Sequence, residues 1–373
     1  MTEKAPVTPT VSIWWFAFGY FAAYVPYSAL TKHLTDDRGV PGTELLPITA
    51  IASLCGMFIF ITVMRWWKFA TNHVQVGGMR LPYPRKWTFL SGLCTATIIA
   101  TTTLAYTFSG ISIVFMMLLM RGGVLVIAPI VDKITGRHVR WFSVVALLLS
   151  LGALVSAFAF RYDPKIGFAI TLIAAIDVIV YLAAYFFRLR FMSKLAKSEN
   201  EDDRKTFFVE EQMTATPVLV FTLGMFALIG GPIAGPDSFF GMLALGFTNF
   251  FSYGALIVIL ALGIGVLSQF TGIFGSLVLL DKRENTYCVP VNRASSIISG
   301  LFASLGLMWF AGAAAPPVSE LFGAFLILLA IMFLSIPPIV EKERAKRAAA
   351  AQKAAAEPAA VANEAKAAGG GQG

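Results

Sequence analysis

Charge and reactive side chains are scarce in this chain of 373 residues. Only 13% of them are charged and 57% are hydrophobic, where soluble domains carry about a quarter charged residues, and the mean hydropathy is +0.74. That balance excludes a water-exposed globular domain and points to an all-α, multi-pass integral membrane protein. Cysteine is limited to Cys55, Cys94 and Cys288, with no CxxC pair, so neither a disulfide framework nor a zinc site is indicated. The three histidines, His33, His73 and His138, fall in expected loops and form no metal cluster. No G-x-x-x-x-G-K-[ST] run is present, which argues against ATP-driven pumping. No paired nucleophile and base suggests catalysis; the chain reads as a non-enzyme that needs no cofactor. The first apolar run lacks a small-residue cleavage site and continues to Leu30, so it is expected to stay as a membrane anchor.

What is abundant is apolar sequence in runs long enough to cross the hydrocarbon core, which takes about 20 residues. Such runs fall at 11–30, 45–66, 87–107, 111–131, 141–160, 166–187, 214–235, 254–280, 287–312 and 318–340. The stretch 239–280 is 42 residues long, too much for one helix and nearly enough for two. Charge placement favours ten spans: with a cytoplasmic N-terminus, 23 of the 29 Lys and Arg lie inside and four outside, whereas an eleventh span would put the basic tail outside. Segment 239–251 is therefore expected to be an interfacial helix before span eight. The Lys and Arg report topology and not nucleic acid, which is discarded as a partner. The long inside loops are 67–86 and 188–213. The tail from Glu341 reads as a short helical extension fraying into disorder, touching anionic lipid through Lys342, Arg344, Lys346 and Arg347.

The chain also looks doubled. Tyr20-Phe21-Ala22-Ala23-Tyr24 in span one is answered by Tyr181-Leu182-Ala183-Ala184-Tyr185 in span six. Arg121 follows Tyr20 by 101 residues and Arg293 follows Tyr181 by 112; the excess matches the expected interfacial insertion. Because five spans per copy is odd, the second copy must insert inverted, the plan of many secondary transporters. The expected organisation is an N-terminal segment at 1–10, five-helix repeats at 11–160 and 161–340, and a cytoplasmic tail at 341–373.

Leu104-Ala105-Tyr106-Thr107-Phe108-Ser109-Gly110, the run 111–131, Asp132-Lys133-Ile134-Thr135-Gly136-Arg137 and the span 144–158 resemble the third, fourth and fifth spans of the drug/metabolite transporter superfamily, which includes EamA-type exporters and nucleotide-sugar carriers. The second copy runs from Ser276 to Glu320, with Glu284-Asn285-Thr286 at its hairpin. The chain departs from the family's Gly-Glu pair after span four, having Gly136-Arg137, and Pro129 lies late in its helix. The resemblance implies that spans one to four and six to nine surround a central cavity. It implies that spans five and ten lie at the periphery, where a homodimer could form.

Arg121 and Arg293 are the leading site candidates, since a guanidinium at membrane depth is costly unless it faces a cavity or a partner. Inverted symmetry should bring them face to face near the midplane, where planar guanidinium groups bind phosphate or carboxylate bidentately. Asp177, the only acidic residue well inside an expected span, shares a helix face with Tyr181 and is expected to neutralise an Arg or carry a proton. Tyr20, Tyr181 and Asn292 are expected to shape the pocket, with Tyr24 and Tyr185 one turn further on. Pro26, Pro129, Pro217 and Pro290 kink or open helices. Gly263, Gly265, Gly272 and Gly275 permit close packing. The leading reading is a secondary carrier for a small anionic solute in a bacterial inner membrane, in contact with membrane lipid and with both termini cytoplasmic. The rivals are a membrane enzyme acting on a lipid-linked phosphate and a non-transporting scaffold.

Overall fold

The computed structural model describes residues 12–105, 113–161, 171–312, 315–316 and 318–369. Among them are ten helices of 20 or more residues: α1 (Ile13–Lys32), α2 (Gly42–Val63), α3 (Lys86–Ala105), α4 (Ile113–Ile134), α5 (Trp141–Arg161), α6 (Leu172–Leu195), α7 (Glu201–Met225), α10 (Ala255–Leu279), α11 (Asn285–Ala311) and α12 (Val318–Gly369). Short helices α8 (Gly231–Ala234) and α9 (Phe239–Thr248) lie between α7 and α10. Helix is the conformation such apolar runs must take away from water, because it pairs every backbone polar group within the segment. Among the described residues six stretches are both long and apolar enough to cross a bilayer: Gly42–Val63, Leu172–Leu195, Glu201–Ala234, Ala255–Leu279, Asn285–Phe310 and Leu321–Glu341. The chain is thus a helical bundle of the multi-pass membrane type.

Several boundaries differ from expectation. The supposed loop 188–213 shrinks to a turn at 196–200, because α6 continues to Leu195 and α7 begins at Glu201. Its charges are helical and partly buried, since Arg188 and Glu211 neutralise each other inside the bundle. Loop 67–86 holds an antiparallel hairpin, β1 (Asn72–Val76) and β2 (Met79–Tyr83). Its tight turn is made by Gly77 and Gly78, both at positive φ, as a two-residue hairpin turn of this kind requires. The tail is longer in helix than the short extension expected, with α12 running to Gly369. The ten-residue α9 rises about 15 Å, half of what a crossing needs. Residues 106–112, part of the stretch that carries the family resemblance, and the N-terminal segment 1–10 lie outside the described residues.

Helix packing repeats. Helix α1 lies against α10 and α11, while α6 lies against α3 and α4; α2 packs on α10 as α7 packs on α3. Helices α5 and α12, α2 and α7, and α4 and α11 also pair. These pairs map onto one another when α1–α5 are exchanged for α6, α7, α10, α11 and α12, whereas the packing of α5 on α11 has no comparable α4–α12 counterpart. Two close approaches match this exchange. A Cβ at Gly265 of α10 would sit 2.5 Å from Thr49 O of α2, and one at Gly92 of α3 would sit 2.8 Å from Glu211 O of α7. Ser53, 33 residues after Tyr20, donates to Gly265 O at 2.7 Å, and Thr214, 33 residues after Tyr181, abuts Gly92. Gly265 and Gly275 thus serve the close packing expected of them, whereas nothing approaches Gly263.

One end of the bundle is stitched by a polar clasp. Asp132, near the end of α4, accepts from Asn285 N at 2.8 Å and from Thr286 N at 2.7 Å, as well as from both side chains. A carboxylate there satisfies the orphan amides of α11 and complements its dipole. Arg137 donates to the carbonyls of Ser193, Lys197 and Lys282 at 2.8–2.9 Å. Glu284 accepts from Ser143 at 2.8 Å and pairs with Arg140 at 3.3 Å. The α4–α5 turn is thereby tied to the α6–α7 and α10–α11 turns.

Candidate functional site

The clasp fixes the relative depth of the two leading arginines. Asp132 caps α11 at Asn285, so α4 ends and α11 begins at that level, the two packing antiparallel on the same side of it. Arg121 lies eleven residues back along α4 and Arg293 eight residues along α11. At 1.5 Å per residue these are about 16 and 12 Å from the joint. Both guanidinium groups therefore lie at nearly one level in the bundle.

Arg293 is half-buried and donates through Nη2 to the Tyr185 hydroxyl at 3.2 Å, with its guanidinium 5.6 Å from the Tyr185 ring centre. Its Nε is buried without a partner. Arg121 is half-buried, and neither arginine forms an ion pair with a carboxylate among the described residues. Arg121 and Arg293 are both within electrostatic range of Tyr20 and Tyr181. The expected tyrosine pairs are real: Tyr20 and Tyr24 stack at 5.5 Å, and Tyr181 and Tyr185 meet at 4.9 Å. Asn292 joins them, donating to Gly275 O at 3.3 Å. A Cβ at Gly275 would sit 3.0 Å from the Tyr20 ring and 3.2 Å from Asn292 Nδ2.

Local sequence explains the placement. Tyr181 and Tyr185 are one turn apart on α6, and Pro290 lies inside α11 one turn before Arg293. Lacking an amide hydrogen, Pro290 leaves one carbonyl of the first turn without its helical donor. Pro26, Pro129 and Pro217 are likewise within α1, α4 and α7.

Asp177 stands apart from the cluster. It is buried on α6, one turn before Tyr181, but among the described residues it makes no ion pair and its Oδ2 has no partner. Among the described residues no arginine pairs with it, so the neutralising contact expected of it is not formed there. It is also not the only acid within the helices, because Glu210 and Glu211 of α7 are completely buried.

A second buried polar group escaped the sequence reading. Arg188 on α6 donates to Glu211 through Nε at 2.9 Å and through Nη2 at 3.0 Å, and to Ser276 of α10 at 3.2 Å. Glu211 also accepts from Ser91 at 2.6 Å and Thr95 at 3.1 Å, both on α3. Arg188 lies one turn from Tyr185 toward the clasp and acts electrostatically on it. Tyr185 is thus flanked by Arg293 on one side and Arg188 on the other. The periodicity that places Arg188 on the face of Tyr181 and Tyr185 was available in the sequence; the partner on α7 was not.

The cluster offers two cations, three phenols and a carboxamide, all positioned by helices. Among the described residues it brings no carboxylate within ion-pair distance of either arginine. No group of three or more His, Cys, Asp or Glu able to hold a metal occurs among the described residues.

No family model matches the sequence, and no curated protein matches it. Among 27 solved chains of matching fold, one, described only as a crystal structure of a protein, aligns with a TM-score of 0.51. It shares 13% sequence identity over 86% of this chain and 96% of that one. At that identity the likeness is one of fold alone.

Proposed function

We propose that this chain is a secondary carrier of the drug/metabolite type, with ten membrane spans in two inverted five-helix repeats, moving a small anionic organic solute by alternating access. The observation that carries the reading is the pair Arg121 and Arg293 at one depth, flanked by Tyr20, Tyr181 and Tyr185 and lacking a carboxylate partner among the described residues. A charge left uncompensated in an apolar bundle costs a few kcal/mol or more. Two together call for an anion that arrives from outside the chain.

The exchange-symmetric packing and the matched Gly92 and Gly265 approaches support the repeat. The α9 segment accounts for the extra residues of the second half. The clasp ties turns of both halves at one end, so in this conformation the solute enters from the other. Tyr20, Tyr181 and Asn292 shape the pocket, and Asp177 is the candidate proton carrier. The solute and membrane lipid are the partners of this reading, α5 and α12 the faces for a homodimer, and the bacterial inner membrane with both termini cytoplasmic its setting.

The test is a thermal-shift screen of the purified protein against sugar phosphates, nucleotides, carboxylates and amino acids, followed by flux of the best stabiliser into proteoliposomes. Arg121→Leu and Arg293→Leu should each abolish both stabilisation and flux. Flux that survives either substitution overturns the reading.

A further inference from the structure

The β1–β2 hairpin plays no part in the central cluster, yet it is built with care. Its root is pinned by Glu210, which accepts from Thr71 N at 3.1 Å, Arg85 N at 3.4 Å and Arg85 Nε at 2.8 Å. The register pairs Val74 with Leu81 and Gln75 with Arg80. Because side chains alternate across a strand, Val74, Met79, Leu81 and Tyr83 share one face, and His73, Gln75 and Arg80 share the other. All four apolar residues are between 44% and 66% exposed. A two-stranded ribbon with a bare apolar face is marginal in water, so something covers it.

Two observations identify the cover. The hairpin is strung between the end of α2, where Val63 and Met64 are exposed, and the start of α3, where Trp87 and Phe89 are exposed. Its apolar face is therefore bracketed along the chain by exposed apolar residues of two long helices, and tryptophan at such a junction marks the headgroup level. Charge is one-sided as well. Arg65, Lys68 and Lys86 flank the hairpin, Arg85 being taken up by Glu210, and no Asp or Glu occurs between Glu44 and Asp132. A surface with cations and aromatic rings, and with no carboxylate in its own stretch of chain, complements anionic headgroups.

We propose that the hairpin lies on the bilayer as an interfacial anchor, with Val74, Met79, Leu81 and Tyr83 seated below the phosphates and the flanking cations on anionic phospholipid. The anchor fixes the depth of the α2–α3 connection. It stands whether or not the central cluster carries an anion.

The test uses the full chain with Cys55, Cys94 and Cys288 replaced by alanine, carrying Leu81→Cys or Gln75→Cys and labelled with an environment-sensitive fluorophore. The protein is reconstituted in phosphatidylcholine vesicles with and without phosphatidylglycerol. The probe at 81 should be blue-shifted and quenched by brominated lipid, more strongly when phosphatidylglycerol is present, while the probe at 75 should be quenched by aqueous iodide. Val74→Cys should repeat the behaviour of 81. Identical responses at 75 and 81 overturn the proposal. So does shielding from iodide at 81 without quenching by brominated lipid, the mark of a second copy or another protein. Quenching at 81 that ignores phosphatidylglycerol removes the headgroup contact.

Discussion

Arg293 donates to the Tyr185 hydroxyl at 3.2 Å while its own Nε stays buried without a partner. The tyrosine therefore holds the guanidinium in place and leaves donor capacity unused. Tyr185→Phe keeps the ring and removes the acceptor. A hydrogen bond to a charged group contributes about 1.5–3 kcal/mol, so the best stabilising anion of the thermal-shift screen should bind roughly tenfold more weakly or worse. Calorimetric titration of the two proteins with that anion checks this; unchanged affinity would show that Tyr185 does not position Arg293.

The Arg188 and Glu211 pair predicts a particular order of stabilities. Breaking a buried pair from one side strands the other charge, at about 3–5 kcal/mol, whereas replacing both with apolar residues of similar size is often close to neutral. Arg188→Met and Glu211→Leu should each lower the Tm in detergent well below the parent. The double variant should recover most of the loss. A double variant less stable than both singles would refute the pairing.

The clasp predicts sensitivity to acid. Burial pushes the Glu284 carboxyl up, but its backbone amide, Ser143 and Arg140 outweigh this and hold it below the ordinary carboxylate range. A carboxylate whose folded pKa is depressed contributes stability fully above its unfolded value of about 4.3 and loses it as pH falls through the folded pKa. The Tm advantage of the parent over Glu284→Gln should thus be constant from about pH 7 to 5 and shrink below about 4. A difference that grows toward low pH would reverse the assignment.

Gly265 tests the close approach of α10 to α2. A side chain there meets Thr49 O and Ala52 Cβ, both at 2.5 Å, and the first is backbone that cannot swing aside. Overpacking of this kind costs about 1–3 kcal/mol or more. Gly265→Val should lower the Tm, whereas Gly263→Val, with open space around it, should leave it nearly unchanged. Equal effects would show that α10 does not depend on this contact.

Much of the bundle could be read from the chain because apolar length is a local property. The ten helices of 20 or more residues among the described ones overlap the ten apolar runs, six of them long and apolar enough to cross a bilayer, and the tyrosine pairs lie one helical turn apart as their spacing predicts. What stayed hidden depends on partners distant in sequence. Arg188 and Glu211 looked like loop charges because hydropathy counts each alone and cannot see them cancel across α6 and α7. Asp132 looked like a loop acid because its task, capping α11, lies 153 residues away. The hairpin is different: Gly77-Gly78 between alternating apolar residues is itself a local turn signal, masked by the basic residues around it.

Arg137 reaches the carbonyls of Ser193, Lys197 and Lys282 with a single planar head. A lysine, with one nitrogen, could not span those three acceptors in the same geometry. The ends of α6 and α10 thus share one fastener, backed by Lys197 Nζ on Arg283 O at 2.9 Å, so whatever disturbs that one guanidinium is felt by both helices together.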